Sequence, residues 1–421
     1  MAMHARGSRV GLTNNALLVV ECDGPIEPAR VDRAFDRFLD VCPWPGARLR
    51  RPFPWGELHW AAGARESLTR PPVRGRAVAT LEELQRELET ELNAPINPAR
   101  EAPVRVLLLD GPGSSSAPGC LVLTWFHPLM DPRGGQNLLA HLCHLDQSPG
   151  ESPWGPVPPA FVPPWDSRSL RERARLARQS LAYIRTLAPV SPVSPAPARV
   201  LSGRASFRHE AFAEADGNGD RPASREISWR LAVVGRALAK LWKRRGLPDV
   251  PFLVPIAVDL RRKGEAGPTF GNLLAFHFAR FRPSETVDLV DLARTLRRQM
   301  ADAVRDGQID ASEVGMEFLK YRPLGTVLRG LPWTKDGDIF SFNCADVMDV
   351  PASLGRCFGR RVVNAYHVPA VPPKPGIGVF FNRCAGRNNL VVSWIEEVVS
   401  QDEVTEIVES VAEGMGWTRR P

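Results

Sequence analysis

Apolar side chains follow two different patterns along the first half of the chain. Residues 16–22, 104–110 and 120–126 are short apolar runs, which predict buried strands. Residues 29–41 and 81–92 instead repeat apolar side chains at helical spacing, and a threonine suited to capping precedes the second segment. Because only a Gly/Ser/Pro loop separates the second and third apolar runs, we expect those two strands to be neighbours in one sheet.

Proline-rich segments divide the chain into two parts. Residues 147–165 predict irregular structure, and residues 189–200 begin with PVSPVSPAP, which is typical of an extended linker. Between them, residues 169–188 predict an arginine-rich amphipathic helix. The sequence therefore predicts an N-terminal half, residues 1–188, and a C-terminal half, residues 201–421.

The C-terminal half again mixes strands and helices. Helical periodicity covers residues 227–245, 287–304 and 402–414. Apolar runs predict strands over residues 251–258, 272–281, 338–343, 362–368, 376–382 and 389–395. Because strands and helices do not alternate strictly in either half, we expect an α+β fold built from two similar halves, not a doubly wound parallel sheet.

Composition narrows the expected partners and location. A net charge of +7 and a pI near 9.3 favour an anionic partner, such as a coenzyme phosphate, an acidic carrier protein or a lipid surface. The chain has no nucleic-acid-binding motif, so we expect no nucleic acid partner. Seven irregularly spaced cysteines without a C-x-x-C motif are typical of reduced thiols in the cytoplasm. We expect neither a signal peptide nor a transmembrane segment.

A histidine and an aspartate follow the apolar run at residues 120–126. His127 comes directly after the predicted strand, and Asp131 followed by Pro132 predicts the cap and first residue of a helix. His127 therefore lies on a short turn between two rigid elements, a position that holds catalytic groups well. Its ordinary pKa near 6.5 leaves neutral imidazole available as a proton acceptor. On these residues alone, a packed histidine beside a helix cap explains the pattern equally well.

The segment FHPLMDP resembles the H-H-x-x-x-D-G motif of the chloramphenicol-acetyltransferase-like superfamily. This superfamily includes condensation domains, wax ester synthases and polyketide-associated acyltransferases. The resemblance covers nearly the whole chain: LLVVECDGPIEP is similar to the family's first strand and turn, VPIAVDLR ends at Arg261, and FGN and FSFNCADV resemble later strands near the active site. Phe126 replaces the motif's first histidine and Pro132 replaces its glycine, departures that favour an unusual substrate or an inactive relative.

This resemblance implies an architecture and a set of site residues. The fold would consist of two sandwich halves that form a V with a central tunnel. His127 would be the general base, Asp131 would orient the loop, and Arg261 would pair with Asp131. Five further residues would contact the substrate: Phe126, Pro132, Gly135, Asn272 and Ser341.

The reaction that the resemblance implies is acyl transfer from a thioester to a hydroxyl or amine acceptor. The thioester would be an acyl-coenzyme A or a phosphopantetheine arm on an acyl or peptidyl carrier protein, with no metal and no bound cofactor. The other partner would be a small-molecule acyl acceptor. Two alternatives stay open: a catalytically silent docking or binding protein, and a same-fold enzyme that catalyses cyclisation or dehydration on a tethered intermediate.

Two other features have weaker functional interpretations. His141, Cys143 and His144 share one predicted helix, but a zinc site needs further ligands that the nearby sequence lacks. The arginine-rich helix at residues 169–188 could lie on a membrane surface as a peripheral contact. Its alanine-rich apolar face favours packing against the rest of the protein instead.

Overall fold

The computed structural model describes residues 13–51, 56, 59–61, 68–111, 119–148, 168–187, 193–196, 203–213, 226–261, 270–319 and 340–419. The strands in this part of the chain are β1 (Asn15–Cys22), β2 (Arg48–Arg50), β3 (His59–Ala61), β4 (Val73–Ala77), β5 (Val104–Asp110), β6 (Gly119–Phe126), β7 (Ala205–Ala213), β8 (Phe252–Asp259), β9 (Leu274–Phe281), β10 (Asn343–Asp346), β11 (Arg356–Cys357), β12 (Arg360–Val368), β13 (Ile377–Cys384), β14 (Arg387–Ile395) and β15 (Thr418–Arg419). The helices are α1 (Pro28–Val41), α2 (Leu81–Asn93), α3 (Pro132–Gln147), α4 (Leu170–Leu187), α5 (Ile227–Arg244), α6 (Leu289–Arg305), α7 (Gln308–Leu319) and α8 (Gln401–Met415). Short 3₁₀ turns cover Trp44–Gly46, His127–Leu129, Pro283–Val287 and Ala352–Leu354.

The first sheet has six strands in the order β11-β12-β1-β6-β5-β4. Neighbouring strands are antiparallel except for β4 and β5, which are parallel. The pairing of β5 with β6 runs from Val104 opposite Trp125 to Asp110 opposite Gly119. It confirms that these two apolar runs are neighbours in one sheet.

One face of the first sheet is covered by α1 and α3. The buried side chains between them include Phe35 and Phe38 of α1, Leu138 and Leu142 of α3, and Trp125 of β6. The apolar positions predicted along residues 29–41 are therefore the buried face of α1. The opposite face of the sheet contributes to a second, larger core that continues into the rest of the molecule.

The second sheet has five strands in the order β10-β13-β14-β7-β15, and only β10 and β13 are parallel within it. α5 and α8 pack against each other and contribute to the core at this sheet. β8 and β9 form a separate antiparallel hairpin. α7 packs on β9, and α4 packs on α7.

The two sheets do not follow the order of the chain. β1 is hydrogen-bonded on one side to β6 and on the other to β12, which lies at residues 360–368. The first sheet is therefore completed by a segment far beyond residue 200. The division of the chain at residues 189–200 stays a prediction, and most of that segment lies outside the described residues.

Several predicted boundaries differ from those in the structure. The strand predicted over residues 338–343 is wrong where it can be compared, because β10 begins only at Asn343; residues 338 and 339 lie outside the described part. The helix predicted from residue 287 begins at Leu289 because the Asp288 carboxylate caps it, accepting hydrogen bonds from two backbone N–H groups. The sequence patterns did not predict β4, β7 and α7, nor the short strands β2, β3, β11 and β15. Residues 112–118 and 149–165 lie outside the described residues.

Two further observations bear on the expected location. Among the described helices, none combines the length and the hydrophobicity that a bilayer crossing requires. All seven cysteines are free thiols, and six of them are buried.

Candidate active site

The turn that carries His127 joins β6 to α3. Asp131 is the N-cap of α3, and its Oδ1 accepts a hydrogen bond of 2.8 Å from the backbone N–H of Gly134. Pro132 occupies the first helical turn, where a missing N–H is not needed. The helix start predicted from Asp131 and Pro132 is therefore confirmed.

A buried ion pair ties this turn to the strand that ends at Asp259. Both terminal nitrogens of Arg261 lie 3.0 Å from the Asp131 carboxylate, and one of them also lies 3.0 Å from Asp259 Oδ1. The side chains of Asp131 and Arg261 are 1% and 9% exposed, so this pair is shielded from solvent and from salt. The two residues that the family resemblance pairs are thus in direct contact.

Gly271 closes the same cluster from a third direction. Its carbonyl accepts hydrogen bonds from the guanidinium of Arg261 and from the backbone N–H of Asp131. Its φ of +114° lies in a region that side-chain-bearing residues rarely adopt, so glycine suits the position. Asp131 Oδ2 also accepts a hydrogen bond of 2.9 Å from the backbone N–H of Leu273. Both oxygens of Asp131 therefore have partners.

His127 is fixed through its backbone on both sides. Its N–H donates to the carbonyl of Asn14 at 2.7 Å, and its carbonyl accepts from Nδ2 of Asn272 at 2.9 Å. Burial lowers the pKa of the imidazole below 6.5, while a hydrogen bond with the residue's own backbone carbonyl and the charge of Asp131 act in the opposite direction. The ring is therefore neutral at pH 7 and retains a lone pair for a proton.

Behind the turn, Trp125 holds the chain from inside the core. Its indole N–H donates to the carbonyl of Met130 at 2.8 Å, which spans the residues that carry His127. Gly135 packs directly on the Trp125 ring, since a Cβ there would lie 3.0 Å from it. His367 lies against the same ring with its centroid 6.2 Å away, and burial lowers the pKa of His367 to about 3.

A cavity of about 220 Å³ opens beside His127. The first half of the chain contributes the motif turn, and the later strands contribute the other walls. Its lining residues are His127, Asp131, Pro132, Arg133, Pro255, Ala257, Asp259, Arg261, Leu274, Phe276, Asn343, Cys344, Ala345, Asp346, Val347, Met348, Pro369, Ala370, Pro372 and Phe380. Apolar groups dominate this lining, which suits a hydrocarbon chain or a small apolar acceptor.

Four of the expected substrate contacts are not among the residues that line this cavity. The ring of Phe126 packs against Trp60, and Gly135 packs against Trp125. Asn272 binds the backbone of His127, and the buried hydroxyl of Ser341 accepts a hydrogen bond from the N–H of Leu253. Each of these contacts positions the protein's own chain, and a role of the four residues in substrate binding stays a prediction. Pro132 is the member of the expected set that lines the cavity.

Three charged residues that line the cavity were not predicted from the sequence: Arg133, Asp259 and Asp346. Arg133 lies two positions after Asp131 within the motif, so only its proximity to the motif could have marked it. Asp346 Oδ2 lies 2.6 Å from Nη1 of Arg230, and that arginine lies beneath the cavity wall with 3% of its side chain exposed. Burial raises the pKa of Asp346, while the charge of Arg230 acts in the opposite direction. No sequence pattern connects residues 230 and 346.

The loop after β10 holds an unusual backbone at the cavity wall. Met348 has a φ of +71°, in the left-handed region that favours glycine. Asp346 Oδ1 stabilises this conformation by accepting a hydrogen bond of 3.1 Å from the N–H of Met348. Residues in such conformations cost energy and persist only where the surrounding structure holds them, and they are concentrated at functional sites.

The histidines of α3 do not form a metal site in the described structure. The buried ring of His141 packs edge-on against Phe38, with centroids 4.9 Å apart. Within the described ranges, no three His, Cys, Asp or Glu side chains lie close enough together to hold an ion.

No protein-family profile matches this sequence, and a comparison with curated proteins found no match. Solved structures do match. The starter condensation domain of rhizomide synthetase RzmA is 14% identical, with a TM-score of 0.63, over 96% of this chain and 90% of that one. Polyketide synthase associated protein 5 from Mycobacterium tuberculosis is 15% identical, with a TM-score of 0.61, over 98% of this chain and 96% of that one.

The first condensation domain of the calcium-dependent antibiotic synthetase is also similar. It is 15% identical, with a TM-score of 0.64, and the match covers 98% of this chain and 95% of that one. Identities this low show the fold, and they leave the reaction to be argued from the site. The protein therefore has the chloramphenicol-acetyltransferase-like fold of condensation domains, as its sequence predicts.

Proposed function

We propose that this protein is a condensation-like acyltransferase, with His127 as the general base for attack on a thioester. The observation that carries the proposal is the setting of His127 in the cavity wall. Its backbone is held by hydrogen bonds on both sides, and its turn is held by the ion pair of Asp131 with Arg261. Burial lowers its pKa, so the ring is a proton acceptor at neutral pH.

The reaction needs one proton acceptor and no covalent enzyme intermediate. The imidazole of His127 takes the proton from the acceptor's O–H or N–H as that atom attacks the thioester carbonyl. The tetrahedral intermediate collapses, the carbon–sulfur bond breaks, and the leaving thiolate takes the proton from the imidazolium. Asn343 lines the same cavity and supplies an amide N–H for the oxyanion.

The cavity also contains a cysteine, which raises the question of a covalent route. Burial raises the pKa of the Cys344 thiol to about 12. Because the thiolate is the nucleophilic form, Cys344 remains an unreactive thiol at neutral pH. Direct transfer through His127 therefore accounts for the site better than an acyl-cysteine intermediate.

The size and polarity of the cavity limit the substrates. A volume of about 220 Å³ is below the range of about 300–1,000 Å³ that is typical of sites for drug-sized ligands. We propose a short acyl chain or a small acceptor next to His127. The donor would be coenzyme A or a carrier-bound phosphopantetheine. A variant of the RzmA starter domain has been solved in complex with C8-CoA, which supports testing coenzyme A donors first.

The test is thiol release from a panel of acyl-coenzyme A donors with mixed alcohol and amine acceptors. Wild type, His127→Ala and His144→Ala are compared, since His144 lies on α3 away from the cavity lining. We expect acceptor-dependent release that falls about 10²–10⁴-fold in His127→Ala and is unchanged in His144→Ala.

The alternatives give different results in the same assay. Release from an acylated carrier protein, without release from coenzyme A, would assign the tethered donor. A product formed without any acceptor would favour cyclisation or dehydration. Equal rates in wild type and His127→Ala, or no release from either kind of donor, would reject the proposal and favour a silent docking protein.

A further inference from the structure

Four arginines form a line along the outer face of α4. Arg171, Arg175, Arg178 and Arg185 follow the spacing of three, four and seven residues, which places them on one side of a helix. All four are exposed. We call this set the α4 arginine row, and it extends over about 21 Å of helix.

The members of the α4 arginine row have no ion-pair partner in the part of the chain that the structure describes, and Glu172 is the acidic residue beside them on the same helix. None of its members makes a hydrogen bond or an ion pair with a described residue. Two basic residues of α6 differ, because Arg294 lies 3.0 Å from Asp291 and Arg305 lies 2.7 Å from Asp302. The row is therefore a concentration of charge that the fold does not neutralise.

The row also works against the stability of its own helix. Like charges four or three positions apart repel, as for Arg175 with its neighbours at 171 and 178, and each such pair costs about 0.2–0.5 kcal/mol. Arg171 lies in the first turn, where the helix dipole disfavours a positive charge. A cost of this kind is expected where the charges serve an external partner.

An apolar flank accompanies the charges. Leu170 and Leu181 are 80% and 55% exposed, and eleven residues, or three helical turns, separate them. They therefore lie on one side of α4 next to the row. Arginine beside exposed leucine is the composition of a protein–protein contact, since interfaces are enriched in arginine around an apolar centre.

The surface is directly linked to the wall of the cavity. On the inner side of α4, the Tyr183 hydroxyl accepts a hydrogen bond of 3.1 Å from the N–H of Phe278 in β9. Two other residues of that strand, Leu274 and Phe276, line the cavity beside His127. A partner bound to the row would therefore lie one structural layer from the reaction site.

We propose that the α4 arginine row is a docking surface for an acidic protein helix, carried by a small carrier domain that delivers the thioester. This inference rests on the proposed function for the identity of the partner and on α4 itself for the surface. A membrane fits less well, because the apolar face of α4, with Leu176, is already buried against α7. Nucleic acid would leave Leu170 and Leu181 uncovered.

The test is a binding measurement that needs no chemistry. Phosphopantetheinylated acyl and peptidyl carrier proteins, without an acyl group, are titrated against the full chain. Three proteins are compared: wild type, Arg175→Glu/Arg178→Glu, and the control Arg33→Glu/Arg298→Glu. The control residues are also exposed and make no hydrogen bond or ion pair with described residues, and both pairs of substitutions change the net charge equally.

We expect binding to wild type that weakens about tenfold or more in the α4 variant and changes less than about twofold in the control. Raising salt from about 50 to 300 mM should weaken the wild-type complex and leave the variant complex nearly unchanged. No binding of any carrier, or equal loss in both variants, would overturn the inference. The inference would also be overturned if the α4 variant lost binding to phosphatidylserine vesicles or to single-stranded RNA while its binding to carrier proteins was unchanged. If carriers bind but no acyl transfer is found, the docking surface stands and the proposed reaction falls.

Discussion

Arginine has opposite surroundings at the cavity and on α4. Arg261 is nearly buried, and its guanidinium lies 3.0 Å from two carboxylates, those of Asp131 and Asp259. Arg175 and Arg178 are exposed and contact no carboxylate among the described residues. The first arrangement uses a charge to fix the protein's own turn, and the second leaves the charge available to another molecule.

This difference predicts different consequences of mutation. Removing one partner of a buried pair leaves the other charge without compensation in a poorly solvated place, which typically costs about 3–5 kcal/mol. An exposed charge is solvated by water whether or not it is paired, so its removal changes the free energy of unfolding by less than about 1 kcal/mol. The buried arginine should therefore dominate stability, and the exposed arginines should dominate association.

The largest effect is expected for Asp131→Ala. The substitution removes the buried one of the two carboxylates that pair with Arg261, and it also removes the cap of α3 and the hydrogen bond from Leu273. We expect the free energy of unfolding to fall by about 3–5 kcal/mol, measured by urea denaturation. Activity should also fall, because the turn that carries His127 loses its anchor. A change below about 1 kcal/mol would show that the pair does not hold the turn.

Two buried histidines extend the comparison to side chains whose charged form is unfavourable in the folded protein. Burial lowers the pKa of His367 to about 3 and that of His277 to about 4, whereas an unfolded histidine titrates near 6.5. Below pH 6.5 the unfolded chain therefore binds more protons than the folded one, so stability falls as the pH falls. Each of these histidines should lower the free energy of unfolding by about 2 kcal/mol at pH 5 relative to pH 7.5.

Urea midpoints at pH 7.5 and pH 5 measure this dependence. His277→Leu is the informative variant, because neither ring nitrogen of His277 has a hydrogen-bond partner among the described residues. The variant should lose part of the pH dependence while keeping its stability at pH 7.5. If the urea midpoint of the variant falls between pH 7.5 and pH 5 by as much as that of the wild type, His277 is protonated as readily in the folded protein as in the unfolded chain.

Asp259→Ala separates the two partners of Arg261. Asp259 is 23% exposed and Asp131 is 1% exposed, so solvent compensates the loss of Asp259 better. We expect a loss of about 1 kcal/mol in the free energy of unfolding. A loss equal to that of Asp131→Ala would show that the two carboxylates act as one unit.

The smallest effect is expected on α4, and its sign is reversed. Arg175→Glu places a carboxylate four positions after Arg171 and three before Arg178. Two attractions replace two repulsions, but the pair with Glu172, three positions earlier, turns from attraction to repulsion and offsets about half of the gain. The thermal midpoint should therefore rise only slightly, with a net gain of about 0.5 kcal/mol. Arg298→Glu on α6 is the matched control. A clear loss of stability would mean that Arg175 already has a structural role.

Much of the fold was accessible from local sequence patterns. Continuous apolar runs predicted β1, β5 and β6, because these strands are buried on both faces. Apolar residues at helical spacing predicted α1, α2 and α8, because each of these helices buries one face. The strand β10 was placed several residues early, because the apolar side chains of Phe340 and Phe342 are buried without forming a sheet ladder. The strand β7 was missed because its charged residues obscure the alternation.

The sequence predicted the residues of the site only where a single short segment carries them. His127 and Asp131 lie within five residues, so the motif was visible, and the resemblance supplied Arg261. The pair of Arg230 with Asp346 joins positions 116 residues apart, and Ser341 was expected near the substrate although its hydroxyl binds Leu253. Contacts between distant segments depend on how the sheets pack, which local periodicity does not contain.

The position of β12 has a consequence for how the chain reaches its native state. During synthesis, β1 leaves the ribosome before its second neighbour, which follows only after more than 330 further residues. Until then one edge of β1 has unpaired N–H and C=O groups, which are a template for intermolecular pairing. Closing so long a loop also slows folding. We therefore expect that expressing residues 13–187 alone yields aggregates, and that co-expressing residues 203–419 restores soluble protein.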